Sequence, residues 1–319
     1  MQIAGHCKKM KKIVVIFFVV VAAIVAAELY ARSQLGLGDP PLSEGAPDID
    51  YIFKPNQRCR RFGNAVNYNN LSMRMDEDVV EGDSRRRVFV IGDSVINGGS
   101  LTDQGELATV LLQRELSEFQ VCNVSAGSWG PGNYAAYFRR YPWLVREGDI
   151  LIVEMASHDI WEDDPKRGAG GIVGTESFPS RRPFCALWEG WTRYLRPRWF
   201  RAKCPAPKKI DAVPAMGREE LEAFNLHELE WLYSLPAKRK CLLFFRSRAE
   251  AAAHASGKAI SPEILTCVER LLAHAKAHGV EVLQADLDAS TDFRDPIHPN
   301  AAGQRKLGEQ LLRAMRDRP

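Results

Sequence analysis

From Arg87 onward, short apolar stretches rich in β-branched residues alternate with longer segments of helical period. The strand candidates are residues 87–92, 120–124, 150–155, 241–245 and 280–285. The helical patterns lie near residues 104–118, 133–141, 218–234, 261–278 and 300–316. This alternation is typical of a parallel sheet covered by helices on both faces, and right-handed crossovers then produce three layers. The sequence therefore predicts an α/β/α sandwich with a five-stranded parallel sheet over residues 87–319.

Two polar segments lie next to the predicted strands and helices of this domain. Ser94 follows the first strand directly, whereas Asp295 and His298 stand three residues apart in a Pro-containing loop before the last helical pattern. A nucleophile, a base and an orienting carboxylate are the parts of a serine hydrolase site. We therefore expect Ser94 to be the nucleophile, His298 the base that takes its proton, and Asp295 the group that fixes the histidine tautomer. The neighbouring Asp93 is assigned to the turn instead.

Each segment also has a purely structural interpretation. Ser94 alone could be a helix N-cap followed by turn glycines. Asp295 and His298 alone could form an Asp-Pro turn with a surface histidine. The presence of both segments, in this order and near opposite ends of one α/β pattern, favours the catalytic interpretation.

These residues resemble the SGNH (GDSL-type) hydrolase family over roughly Arg87 to the C-terminus. Gly92-Asp93-Ser94 corresponds to the family's first block, and Asp295 and His298 to its last, Asp-x-x-His. The resemblance implies a flavodoxin-like strand order. It also implies that all the blocks meet at the carboxyl ends of the strands, where ligands bind in such sheets.

Two further family blocks supply oxyanion donors. The resemblance assigns one to Gly127, or to Ser128 if the turn is shifted by one residue. The backbone N–H of Ser94 itself is expected to be a further donor. The other block is usually Gly-Asn-Asp, whereas this chain has Ser157-His158-Asp159, so His158 would replace the amide donor with a ring N–H. Gly127 could instead serve only the turn, and His158 could be a core histidine.

The N-terminus predicts a membrane anchor. Lys8, Lys9, Lys11 and Lys12 precede fifteen consecutive apolar residues at 13–27, which residues 29–31 extend past Glu28. This asymmetry predicts a cytoplasmic segment at 1–12, a single-pass transmembrane helix at 13–31, and a body outside the cytoplasm, either periplasmic or extracellular. A cleaved signal peptide is the alternative, with residues 25–27 as its cleavage site. Without the four lysines, the chain has 39 basic and 40 acidic residues, so the net charge of the body is close to zero. Nucleic acid is therefore not an expected partner.

Two segments interrupt the main pattern. Residues 32–86 are predicted to be a linker and an N-terminal extension, with the Pro- and Gly-rich part from 36 to about 57 as the linker and an irregular hairpin following it. An insertion at 160–216 is rich in arginine and contains Trp161, Trp188, Trp191 and Trp199. It could be a platform on which sugar rings stack, a face that rests on the membrane surface, or a satellite hydrophobic core.

The cysteines do not indicate a metal site, because no Cys-x-x-Cys or His-rich cluster is present. Cys122 and Cys241 lie in strand-like runs and are expected in the core. A bond between Cys185 and Cys204 would close a loop of ~20 residues and contribute ~3 kcal/mol.

Together these features predict a serine esterase that removes or transfers a short acyl group, such as acetyl, through a Ser94 acyl-enzyme, with no cofactor. The expected substrate is an acyl ester, for example on an extracytoplasmic glycan such as a cell-envelope polysaccharide. The alternative is a non-catalytic carbohydrate-binding relative that keeps the pocket.

Overall fold

The computed structural model describes residues 2–157, 159–162, 173–175, 177–199 and 216–316. The strands are β1 (Ser43–Ala46), β2 (Asp50–Phe53), β3 (Gln57–Arg61), β4 (Asn64–Tyr68), β5 (Arg86–Gly92), β6 (Phe119–Ser125), β7 (Ile150–Ala156), β8 (Arg239–Phe245) and β9 (Glu281–Gln284). The helices are α1 (Gln2–Ser33), α2 (Ser94–Asn97), α3 (Ala108–Glu115), α4 (Pro131–Arg140), α5 (Asp159–Glu162), α6 (Ala186–Glu189), α7 (Arg196–Trp199), α8 (Arg218–Ser234), α9 (Arg248–Ala255), α10 (Pro262–Ala277) and α11 (Ala301–Arg316). A π-helical stretch, Gly190–Leu195, joins α6 to α7.

The central sheet has five parallel strands in the order β6-β5-β7-β8-β9. Successive side chains of a strand point to opposite faces, so β5 sends Val88 and Val90 into one core and Phe89 and Ile91 into the other. Helices α4, α8 and α10 pack on one face, and α3, α9 and α11 on the other. The predicted three-layer sandwich with a flavodoxin-like strand order is confirmed.

The five predicted strands agree with β5 to β9 within two residues at each end. The first helical pattern is split, because a 3₁₀ turn at Gln104–Glu106 precedes α3. Helix α9 is additional, and its alanine-rich sequence has little apolar periodicity that could have predicted it. Cys122 and Cys241 are fully buried in β6 and β8, as expected.

The segment from 36 to 57 is not a free linker, which corrects the sequence-based expectation. It contains the antiparallel pair β1–β2, and Ile49 and Tyr51 are buried in the main core. The backbone carbonyl of Tyr51 accepts a 3.1 Å hydrogen bond from Nε1 of Trp129, and that of Ile49 accepts one from the Asn133 amide in α4. The burial of its apolar residues against one face of the sandwich offsets the conformational entropy that a Pro- and Gly-rich chain loses when it becomes ordered. The irregular hairpin that follows is the pair β3–β4.

Helix α1 includes a candidate membrane span, Met10–Ser33, of 24 residues with a mean hydropathy of 2.8. Its side chains are exposed along the apolar stretch, and Ala31 near its C-terminal end is buried against Leu37 and Ala186. The helix is therefore long and apolar enough to cross a bilayer, and its last turns contact the body of the protein.

Candidate active site

Ser94 lies just past the carboxyl end of β5, an interior strand of the sheet, as the first residue of α2. The chain can turn there because Gly92 has no side chain: a Cβ at this position would lie 2.6 Å from Cγ1 of Ile96. Asp93 is the N-cap of α2, and its Oδ1 accepts a 2.7 Å hydrogen bond from the backbone N–H of Val95. Asp93 therefore stabilises the turn, and the carboxylate that orients the histidine must come from another residue.

Asp295 and His298 lie in the loop between β9 and α11, and this loop brings them to Ser94. His298 Nε2 is 2.9 Å from Ser94 Oγ, and His298 Nδ1 is 2.8 Å from Asp295 Oδ2. Oδ1 of Asp295 accepts hydrogen bonds from the backbone N–H groups of Ile297 (3.0 Å) and His298 (2.8 Å). The backbone of the loop therefore fixes the orientation of the Asp295 carboxylate, and the carboxylate in turn fixes the orientation of the His298 ring.

The charge on Asp295 decides which ring nitrogen of His298 carries a proton. Burial disfavours the carboxylate, but hydrogen bonds from the backbone of His298 and Ile297 and from the His298 ring outweigh burial and lower the pKa of Asp295. An ionised carboxylate can only accept hydrogen bonds, so Nδ1 must donate to it. The lone pair of Nε2 then faces the Ser94 hydroxyl.

Asp93 is a competing acceptor for the Ser94 hydroxyl, with Oδ2 at 3.3 Å from Oγ. The contact with His298 is shorter, at 2.9 Å. Burial also raises the pKa of Asp93, despite its hydrogen bond from Val95 and the nearby His298. The shorter distance favours donation from Ser94 to His298.

Arg294 stabilises the loop and was not predicted from the sequence. Its guanidinium donates to the carbonyl of Gly98 (3.1 Å) and to the hydroxyl of Thr102 (2.7 Å), and its Nε lies 3.7 Å from Asp295 Oδ2. The Asp295 loop is thereby attached to the segment that follows Ser94. Burial lowers the pKa of Arg294, while the adjacent Asp295 carboxylate opposes this change.

Ser94 lines a cleft of about 390 Å³. Gly127, which follows β6, lines this cleft with Ser94, Asp295 and His298. The carbonyl of Gly127 accepts a 2.6 Å hydrogen bond from the Tyr51 hydroxyl, which positions the turn. The other walls are largely aromatic or apolar and include Phe53, Phe62, Tyr68, Leu101, Phe178 and Tyr194. Two of these, Phe178 and Tyr194, come from the insertion.

His158 lies outside the described residues, so its role as an oxyanion donor stays a prediction. Its neighbour Ser157 is buried, and the Ser157 hydroxyl donates to the carboxylate of Glu250 in α9 rather than lining the cleft. Cys204 also lies outside the described residues, and its predicted bond to Cys185 stays a prediction.

Within the part of the chain that the structure describes, one group of side chains has a spacing suited to a metal ion. Glu230 on α8 and His274 and His278 at the end of α10 place their ligand atoms within 4.8 Å of one another. Glu230 is exposed, and none of the three lines the Ser94 cleft. This group of three side chains is therefore separate from the cleft that contains Ser94, His298 and Asp295.

No family model and no curated protein matches this sequence. Among solved structures, the chain is similar to a member of the lipolytic G-D-S-L family from Veillonella parvula, with 10% identity over 72% of this chain and 98% of that one and a TM-score of 0.41. A carbohydrate acetylesterase family member from Sinorhizobium meliloti shows 13% identity, 73% and 98% coverage and a TM-score of 0.38. The α/β hydrolase LAE5 from the Lake Arreo metagenome shows 14% identity, 72% and 94% coverage and a TM-score of 0.41. These likenesses are too distant to support an activity on their own.

Proposed function

We propose that this chain is a serine esterase of the SGNH (GDSL-type) hydrolase family, which removes or transfers a short acyl group through an acyl-enzyme on Ser94. One observation carries the proposal: Ser94 Oγ, His298 and Asp295 form a continuous hydrogen-bonded chain, with contacts of 2.9 Å and 2.8 Å, in the wall of the cleft. Nucleophile, base and orienting carboxylate each have the partner that this chemistry needs.

In the proposed reaction, Ser94 Oγ attacks the ester carbonyl while His298 Nε2 takes its proton. The protonated ring then gives that proton to the departing alcohol, and the acyl group remains on Ser94. Water or an acceptor hydroxyl attacks this ester in the second step, with His298 again as base, and the same intermediate serves hydrolysis and transfer. Asp295 stabilises the imidazolium at each step through Nδ1.

The proposed donors to the oxyanion are the backbone N–H groups of Ser94 and Gly127 and a ring N–H of His158. Gly127 is supported by its place in the cleft wall. A glycine lets the substrate oxygen approach the backbone closely, and each donor aimed at the developing charge typically contributes ~10²–10³ in kcat.

The proposed substrate is a short acyl ester, such as an acetyl ester, on an extracytoplasmic glycan. Aromatic walls suit the apolar faces of sugar rings, and Phe178 and Tyr194 of the insertion supply two of them. Arg193 also lines the cleft and would favour an anionic glycan. A non-catalytic carbohydrate-binding relative would keep these walls, but it would not need the hydrogen-bonded chain from Ser94 to Asp295.

We further propose that α1 anchors the protein with its N-terminus inside, so that residues 32–319 lie outside the cytoplasm. The lysines before the apolar run support this orientation. A reporter enzyme fused after residue 319 should be active only if it is one that requires export. Activity of a cytoplasm-only reporter at the same position would refute the topology.

The activity is tested with a series of nitrophenyl esters of increasing acyl length, using the full chain in detergent. Wild type should prefer the acetyl ester, and Ser94→Ala should lose turnover by at least about 10³ because the nucleophile is absent. Ser100→Ala is the matched control, since Ser100 lines the same cleft without touching His298. Equal turnover by wild type and a folded Ser94→Ala variant would contradict the assignment.

A further inference from the structure

An apolar stripe runs along the helical segment formed by residues 186–199, which we name the aromatic helix. Leu187, Trp191, Leu195 and Trp199 recur every fourth residue, so they share one face of the helix. Their exposures are 37%, 36%, 46% and 71%. The rings of Trp191 and Trp199 contact each other edge to face, with centroids 6.1 Å apart. Large apolar side chains therefore form a continuous exposed surface here, which soluble proteins seldom leave uncovered.

The opposite face of the aromatic helix is fixed to the body of the protein. Glu189 is 5% exposed and forms a buried ion pair with Arg61, with a 2.6 Å contact between its Oε1 and an Arg61 nitrogen. Glu189 also accepts a hydrogen bond from the backbone N–H of Gly38, and Arg61 donates to the Tyr194 hydroxyl at 3.0 Å. The orientation of the exposed stripe is therefore determined by buried polar contacts on the other side.

The start of the aromatic helix is attached to α1. The carboxylate of Glu28 accepts hydrogen bonds from the backbone N–H groups of Ala186 (2.8 Å) and Leu187 (2.9 Å). Glu28 is also paired with Arg32 one turn later, at 2.7 Å. The single acidic residue in the apolar part of α1 thus connects this helix to the aromatic helix.

The position of Glu28 along α1 sets the depth of the aromatic helix relative to a bilayer. A hydrocarbon core of ~30 Å takes about 20 residues at 1.5 Å per residue, so a span that starts at Ile13 ends near Arg32. Glu28 then lies about 6 Å inside the outer boundary. The residues that it caps, Ala186 and Leu187, would then lie within about 6 Å of the lipid–water interface, on its acyl-chain side.

The residues around the stripe have the chemistry of that interface. Tryptophan is enriched where acyl chains meet headgroups, and arginine can bind lipid phosphates while its stem contacts apolar groups. Arg181, Arg182 and Arg196 are exposed next to the stripe, together with Phe184 and Trp188. Arg182 already pairs with Asp39 at 2.6 Å, which leaves Arg181 and Arg196 as the cations most available to phosphates.

We propose that the exposed face of the aromatic helix is a second membrane contact, which inserts into the headgroup region of the bilayer that α1 spans. The proposal rests on the membrane anchoring proposed above. Since Arg193 and Tyr194 of the same helix line the Ser94 cleft, this contact would also hold the cleft at a fixed height beside the lipid surface. The catalytic domain would then lie on the membrane instead of moving freely around a flexible tether.

Quenching of tryptophan fluorescence by brominated lipids tests the contact in the full chain. Helix α1 contains no tryptophan, so any quenching must come from the body of the protein. The chain is placed in phosphatidylcholine nanodiscs whose acyl chains are brominated near the headgroup, and its emission is compared with that in unbrominated nanodiscs. We expect clear quenching of wild type and loss of most of it in the variant Trp188→Phe/Trp191→Phe/Trp199→Phe.

The matched control is Trp143→Phe/Trp231→Phe, because these tryptophans pack against the main core on another part of the domain. This control should retain the wild-type quenching. No quenching of wild type, or full quenching of the triple variant, would overturn the proposal. Failure of the anchor would appear separately as failure to enter nanodiscs, and failure of the esterase site as loss of labelling by a fluorophosphonate.

Discussion

Replacing Asp295 with Asn tests how the catalytic histidine is oriented. The two carboxylate oxygens have different partners: Oδ1 accepts the backbone N–H groups of Ile297 and His298, and Oδ2 is the closer to His298 Nδ1, at 2.8 Å. In Asp295→Asn, the carbonyl oxygen should stay with the two backbone donors, because an NH₂ group there would face them without a bond. The amide NH₂ then replaces Oδ2 and donates toward Nδ1.

A donor at that position forces the proton of His298 onto Nε2, where it faces Ser94 and blocks proton transfer. An Asp-to-Asn change in a Ser-His-Asp triad lowers kcat by about 10⁴, which is about 5 kcal/mol of transition-state stabilisation. We expect a loss of this size in kcat/KM for acetyl ester hydrolysis. The melting temperature should change little, since the backbone hydrogen bonds of the loop are kept.

Asp93→Asn is the matched control, because it makes the same chemical change on a neighbouring carboxylate. Asn is as good an N-cap as Asp and can still accept the Val95 N–H, so we expect kcat/KM within about tenfold of wild type. Both rates are measured per folded molecule with the same ester. An Asp295→Asn enzyme within tenfold of wild type, or a larger loss in Asp93→Asn, would refute the proposed roles.

Three further changes test other parts of the structure. If His158 is an oxyanion donor, His158→Ala should lower kcat by ~10²–10³ with little change in KM, and His158→Asn should retain most of the rate; an unchanged kcat in His158→Ala would exclude the role. Arg61→Met should lower the free energy of unfolding by about 3–5 kcal/mol, because the buried Glu189 loses its 2.6 Å partner and keeps only a 3.4 Å contact with Arg193, and adding Glu189→Met should recover most of this loss in urea denaturation. The pKa of Asp295 lies below its ordinary value of 3.8, so its stabilisation is present above about pH 4 and disappears as the pH falls through the lowered pKa. In acid, the melting temperature of wild type should therefore fall more steeply than that of Asp295→Asn, and parallel curves would contradict this linkage.

The central sheet could be predicted because β5 to β8 are short, mostly apolar runs that are buried on both faces, whereas the edge strand β9 is only partly buried. Gly92 and Ser94 could be placed for the same reason, since they directly follow β5. The segment from 36 to 57 was misjudged because its prolines and glycines dominate the pattern. Ile49 and Tyr51 contact α4 and the loop before it, at residues more than 70 positions away. A local pattern cannot indicate such a partner.

In the candidate site too, some residues could be predicted from the sequence and others could not. Ser94, Asp295 and His298 belong to two local segments whose residue types and spacing indicate their chemistry. Arg294 is adjacent to Asp295, but its bond to the carbonyl of Gly98 joins residues 196 positions apart, so only the fold reveals its role. The contribution of Tyr194 and Phe178 to the cleft also depends on how the insertion packs against the body of the protein, which a local sequence pattern does not show.

The most direct test of the account is covalent labelling of Ser94. A fluorophosphonate reacts with a serine whose hydroxyl is activated by a neighbouring base, and mass spectrometry of the digested protein locates the adduct. The full chain in detergent should carry one phosphonyl group on the peptide that contains Ser94, and Ser94→Ala should carry none. An adduct on a different serine, or a folded wild-type chain that does not react, would contradict the proposal that this protein is a serine esterase acting through Ser94.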